Sequence, residues 1–158
     1  LFRSDDEKKR YASRTNELIT PQDIVYPLVK IGVTNFLHLN NHHPAYQLVD
    51  QSQLSSYLMG LRKFYFDNNV LDWYSKNVFD CGDYAMGATW YAKAWHRNLK
   101  DKVAGTSIAI GTIFYRQDET GGYHAINAAI LKDRSIVFFE PQLQSTINLS
   151  KSEIQSIY

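Results

Sequence analysis

One cysteine, one histidine and one glutamate stand in an order that could carry nucleophilic chemistry. They are Cys81 in FDCGDYAMG (79–87), His124 in GYHAIN (122–127) and Glu140 in FFEPQ (138–142). A thiolate is the nucleophile, and the unpaired N–H groups at a helix N-terminus favour it. Cys81 falls at such a start, because Asp80 is a suitable N-cap and Asp83, three residues on, completes a capping-box pair. A working thiol also needs a base and a group that orients the base. Of the five histidines, His38, His42 and His43 lie in an Asn-rich loop and His96 is at the far end of the cysteine helix. His124 instead follows Gly121-Gly122 at a strand start, where its ring can face a cleft. Glu140 ends the next strand, just before Pro141.

Whether imidazole and carboxylate meet depends on register, since paired strands turn alternate residues to opposite faces. An even turn with Leu131 opposite Ile136 pairs Asn127 with Glu140 and sends His124 to the other face. A three-residue turn of Lys132, Asp133 and Arg134 sets Leu131 opposite Ser135. Ile126 then pairs with Glu140, and His124 lies diagonally beside Glu140 and directly across from Gln142. The odd turn is the expected one.

The surrounding elements follow from periodicity. Leu54, Leu58, Leu61 and Tyr65 recur at helical spacing after Asp50 or Ser52 as cap. The cysteine helix is expected over about 81–99, its Cys81, Ala85, Ala88, Ala92, Trp95, Leu99 face joined by Met86, Trp90 and Tyr91; apolar on nearly every side, it belongs in the interior. Thr20 and Pro21 open a shorter helix that Pro27 limits, and NVLDWY (69–74) reads as an extended piece. TSIAIGTIFYR, GYHAINAAILK and SIVFFEPQ are three β-rich runs with short breaks, hence an antiparallel sheet, and LSKSEIQSIY is a terminal helix capped by Ser150 or Ser152. Residues 1–20 carry clustered charges of both signs and read as an arm or linker; 21–158 form a single domain. The class is α+β.

The three motifs together, in their order and spacing over roughly residues 45–145, resemble the papain-like C-terminal domain of the Marasmius oreades agglutinin-related lectin family. That family's glycan-binding lectin domain has no counterpart in this chain. The resemblance implies a papain-like fold and a cysteine peptidase with Cys81, His124 and Glu140 as its triad, dependent on calcium or manganese. In that mechanism Cys81 attacks a peptide carbonyl, His124 moves the proton from thiol to leaving amine, and Glu140 holds the imidazole. The oxyanion would be met by the Cys81 N–H and a side-chain donor from Asn77 or Trp73. The residues give a separate reason for a cation: Asp80 and Asp83 flank the thiol, and their charges disfavour its ionisation unless a metal offsets them. Asp83 and Gln142 are the candidate ligands, although Gly82 stands where the family tends to have a second acid.

Other readings compete. Cys81 as a small buried hydrophobe, Asp80 and Asp83 as a cap alone, and Glu140 as a strand-end acid describe a binding or structural module without chemistry, part of a larger assembly through the N-terminal arm. A transglutaminase or amidase would use the same triad. His38, His42 and His43 suggest zinc, but Asn40, Asn41 and Pro44 oppose a helix there and nothing nearby completes a ligand set. The near-balance of 17 basic and 16 acidic residues, without a basic stripe, argues against nucleic acid and anionic membrane as partners; the peptidase reading leaves a peptide or protein substrate. No apolar run is long enough for a membrane span. A single cysteine makes no internal disulfide, so a soluble protein of a reducing compartment is permitted. Nothing in the sequence asks for an organic cofactor.

Overall fold

A capping pair starts each of the two long helices. Asp50 Oδ1 accepts the Gln53 N–H at 2.8 Å while Gln53 Oε1 accepts the Asp50 N–H at 3.0 Å, opening the helix Gln51–Asp67. Asp80 and Asp83 make the same exchange at the head of Cys81–Arg97. The computed structural model describes residues 17–34, 43–73 and 79–158. Within them the chain runs β1 (Leu18–Ile19), α1 (Val25–Ile31), β2 (Tyr46–Gln47), α2 (Gln51–Asp67), a 3₁₀ turn (Val70–Trp73), α3 (Cys81–Arg97), β3 (Ser107–Ile108), β4 (Ile110–Arg116), β5 (Tyr123–Ile130), β6 (Ile136–Glu140), β7 (Ser145–Ile147) and α4 (Lys151–Gln155).

This is the expected α+β arrangement, with the cysteine at the head of a helix packed on an antiparallel sheet from the second half. Strands β4-β5-β6-β7 form an antiparallel meander. A smaller sheet, β1-β2-β3, pairs β2 with β1 antiparallel and with β3 in parallel. The run from Thr106 is therefore two strands, divided at Ala109, whose N–H bonds Gln47 in one sheet and whose carbonyl accepts from Ile130 in the other. The arm drawn to residue 20 lies outside the described residues through 16, but Leu18 and Ile19 are buried strand.

Pro27 does not limit α1. It is the third residue of the helix, where an N–H has no intrahelical partner to lose, and the helix instead ends at Gly32, whose φ of 106° is left-handed. Thr20 bonds Asp23 in the preceding turn rather than capping the helix. NVLDWY holds a 3₁₀ turn, not a strand.

Helices α2 and α3 lie close. A Cβ on Gly60 would stand 2.6 Å from the Tyr91 hydroxyl, so a larger residue there would have to displace that ring. Three buried tyrosines brace this side: Tyr57 and Tyr65 donate to the Ala88 and Tyr84 carbonyls of α3, and Tyr84 donates to Val70. Leu54 and Leu61, with no exposed surface, each contribute about 1.5–3 kcal/mol by burial. Met86 and Trp90 are 56% and 65% exposed, so α3 is not enclosed all round as its composition suggests.

The buried face of α3 is Tyr84, Ala85, Ala88, Ala92 and His96, small enough for the sheet to approach its backbone. There Asn127, wholly buried on β5, donates to the Ala85 carbonyl and Thr89 Oγ1, both at 2.9 Å, and to Gly111 O at 3.3 Å. Thr112 adds a bond to the same Ala85 carbonyl. At the other end of α3, the buried His96 ring donates from Nε2 to Gln47 Oε1 at 2.8 Å, and that oxygen also accepts the Val103 N–H.

Two outcomes follow. Asn127→Ala removes the buried bonds that join β5 to α3 and β4 and is expected to cost about 2 kcal/mol, lowering Tm by about 4–8 °C; an unchanged urea midpoint would remove the staple from the account. Burial, with Lys102 adding to it against Asp101, holds the His96 pKa below its ordinary value. The unfolded chain therefore binds a proton near pH 6.5 that the folded chain refuses, so stability is full above that pH and falls as pH drops toward the folded pKa. Urea unfolding at pH 7.5 and pH 5 is expected to show a loss that His96→Gln diminishes.

Candidate functional site

The turn between β5 and β6 is the three-residue one. Leu131 N–H bonds Ser135 O at 2.9 Å, Arg134 takes the left-handed position at φ 68°, and Asp133 Oδ1 accepts the N–H and hydroxyl of Ser135. From that turn the register runs Ile130↔Ile136 to Asn127↔Phe139, which sets Ile126 level with Glu140. His124 Nε2 reaches Glu140 Oε2 at 2.7 Å, largely shielded from solvent, and Glu140 Oε1 accepts the Gln142 N–H at 3.1 Å. Carboxylate and imidazole are thus held together by strand geometry.

Cys81 is half-buried at the first turn of α3, and no hydrogen bond joins it to His124 among the described residues. Asn127, whose side chain meets α3, and His124 differ by three positions and so belong to opposite faces of β5; His124 pairs instead with Tyr115, ring centroids 5.8 Å apart. Tyr115 lies between these groups electrically. Burial first, with the charges of Glu153, Glu140 and Cys81 adding and a Gln117 bond opposing, raises its pKa above the ordinary phenol value.

The proposed oxyanion donors divide. Asn77 lies outside the described residues, and Trp73, 51% exposed, sets its ring edge-on to Phe79. The nominated metal ligands do not form a donor set. Asp83 Oδ2 accepts the Asp80 N–H, Asp80 Oδ1 accepts from Gly82 and Asp83, and no group of three or more His, Cys, Asp or Glu side chains among the described residues is placed to hold an ion. Of the zinc candidates, His38 and His42 lie outside the described residues and His43 meets the ring of Tyr46. No described helix is long and apolar enough to cross a membrane.

A second feature occupies the open end of the sheet face that carries α3. Phe114 lies there near Gly82, whose Cβ, if it had one, would be 4.0 Å from the ring. Arg116 and Tyr123 are a cross-strand pair at the same end. After α4 the chain returns along the free edge of β4: Ser156 Oγ accepts the Arg116 N–H at 2.8 Å, and the Tyr158 N–H donates to Phe114 O at 3.2 Å. Tyr158 then stacks on Phe114 (5.9 Å, 27°) and meets Tyr123 edge-on (5.5 Å). Arg116, Tyr123, Gln155, Ser156, Ile157 and Tyr158 line a cleft of about 560 Å³. Sequence reasoning missed it, because only the docking of the last three residues joins Tyr158 to β4; the tyrosine at the strand start and the one in the terminal SIY were the available signals.

The fold has solved counterparts. A structure described as a PSL1a-E64 complex superposes with a TM-score of 0.60 at 18% identity, over 86% of this chain and 46% of that one. The Polyporus squamosus lectin bound to the human-type influenza-binding epitope Neu5Acα2-6Galβ1-4GlcNAc superposes with a TM-score of 0.62 at 19% identity, over 89% and 48%. The chain thus spans about half the length of these proteins. No curated protein matches it.

These findings correct the expectation of a cysteine peptidase, and with it the reading as a hydrolase or thiol protease. The matching family is an agglutinin family and a matching structure is a lectin, findings that run against the cleavage of peptide bonds. The structure supplies a physical reason for the misreading: Asp80 and Asp83 cap a helix, Tyr84 and Asn127 brace it and Phe139 fills the core, so the motif spacing also serves packing. The sequence model for the agglutinin C-terminal family matches residues 57–146, more than half of the sequence, and the chain belongs to that family.

Proposed function

We propose that this chain is a non-catalytic binding module of a carbohydrate-binding protein, and that it contributes a contact surface in place of bond-breaking chemistry. Its membership of an agglutinin family is the observation that carries the reading. The likeness of fold to a lectin that was crystallised with a sialylated trisaccharide supports it. So does the site: the thiol has no hydrogen bond to the imidazole, while a rigid sheet end presents exposed aromatic and polar side chains around a cleft. Such a surface suits a sugar, whose ring offers apolar C–H faces to aromatic planes and hydroxyls to planar polar groups.

The test is retention on immobilised glycans that include Neu5Acα2-6Galβ1-4GlcNAc and its unsialylated core. The chain is expected to be captured, and Cys81→Ala to be captured within about twofold of it, as for a substitution that touches no ligand. Capture by none of the glycans would overturn the reading. So would loss of capture in Cys81→Ala, or Cys81-dependent cleavage of an unfolded protein substrate.

A further inference from the structure

Where the end of α3 meets the smaller sheet, a titratable ring is enclosed in a small polar network. We infer that His96, Gln47 and the connector 98–106 form an acid-sensitive latch: a neutral ring holds the connector to the body, and a protonated ring releases it while α3, β4 and β5 stay folded together. Gln47 and His96 are 2% and 4% exposed, so the junction is closed to water and its polar atoms are satisfied by one another.

The hydrogen bonds assign the ring proton. Gln47 Oε1 accepts the Val103 N–H at 2.9 Å and Gln47 Nε2 donates to the Asp101 carbonyl at 3.3 Å, which settles the two ends of the amide. His96 Nε2, 2.8 Å from that same oxygen, is therefore the donor. The neutral ring carries its proton on Nε2, and a second proton enters at Nδ1. The resulting charge sits in a buried place, where it is costly. Burial is the largest influence on the ring; from the connector, Lys102 also opposes its protonation and Asp101 favours it. Asp101 is shared, because its Oδ2 accepts from Gln53 Nε2 at 2.9 Å. The other elements at the junction bring neutral groups, Gln47 from β2 and Gln53 from α2, while on α3 itself the cations Lys93 and Arg97 are exposed to water.

The connector has little else to hold it. None of its residues is buried. Its hydrogen bonds to elements other than α3, among the described residues, are the two with Gln47 and the one from Gln53; Lys102 bonds the Arg97 carbonyl and Thr106 bonds Val103, close by in the chain. A charged His96 gains solvent only by turning toward water, which takes Nε2 away from Gln47 Oε1. Gln47 then loses the partner that fixes its amide, and its two bonds to the connector weaken together. Gly105, at φ 78°, gives the segment a pivot. The middle of α3 is held differently. Asn127, Thr112 and Tyr57 bind it to β5, β4 and α2 without a group that titrates near pH 6. An exposed segment with few ties opens at a lower free energy than such a core.

The experiment follows amide hydrogen exchange at Val103 and along the β4–β5 ladder from about pH 7.5 to about pH 5, corrected for intrinsic rates. Val103 is expected to exchange through an opening that low urea leaves unchanged, whereas urea speeds exchange of the ladder. Its protection is expected to fall by up to about tenfold per pH unit below about pH 6.5, because the opened form binds a proton that the closed form refuses. His96→Gln keeps a donor for Gln47 Oε1 without the titration, and protection of Val103 is then expected not to change with pH. The ring-nitrogen resonances of His96 in the unsubstituted chain should report a neutral ring with its proton on Nε2 at the higher pH. Exchange at Val103 that matches the ladder in both protection and urea dependence would overturn the latch. So would protection that is flat with pH in the unsubstituted chain, a pH dependence kept by His96→Gln, or a neutral ring protonated on Nδ1.

Discussion

The side-chain amide of Asn127 holds the sheet against α3, and the geometry of the whole open end depends on that contact. Its three donations tie β5 to the helix carbonyl at Ala85, to Thr89 and to Gly111 on the neighbouring strand. A buried amide with fixed partners tolerates no slip, because a shift of one residue would replace it with Ile126 or Ala128 and strand its acceptors in an apolar layer. The period of two then decides everything further along β5. Ala125 and Tyr123 continue the Asn127 face toward the helix start, while His124 goes to the other side with Tyr115.

The same parity also decides which residues of the site share a face. His124 and Glu140 form a tight pair because β5 and β6 place them on one face at adjacent levels. Cys81 belongs to the helix that packs on the opposite face.

Much of the fold was legible because it is written in short intervals. The Asp50–Gln53 and Asp80–Asp83 caps are pairs three residues apart, and the odd turn at Lys132–Arg134 follows from the length of the break between two β runs. What escaped reading lies in contacts between distant segments. Nothing near Ala109 announces that its two sides join different sheets, since that depends on Gln47 arriving alongside. Strand β7 exists only because β6 offers it an edge. Pro27 costs no bond because it is the third residue of its helix, a position that the sequence alone does not mark. The His124–Glu140 approach could be anticipated from register, whereas the chemistry assigned to it came from a likeness of motifs whose residues also have structural work.

The exposed edge of β4 explains why the cleft is where it is. An open strand edge is a template for unwanted pairing, and proteins cover such edges with another segment. Here the covering segment is Ser156–Tyr158, joined by one backbone bond from Tyr158 and by two side-chain bonds between Ser156 and the Arg116 backbone. Ile157 turns into the core. Tyr123 and Arg116 are left outward beside Tyr158. Protection of the edge and the setting of Tyr158 are therefore one structural event: the bonds that cover β4 also fix the plane of that ring.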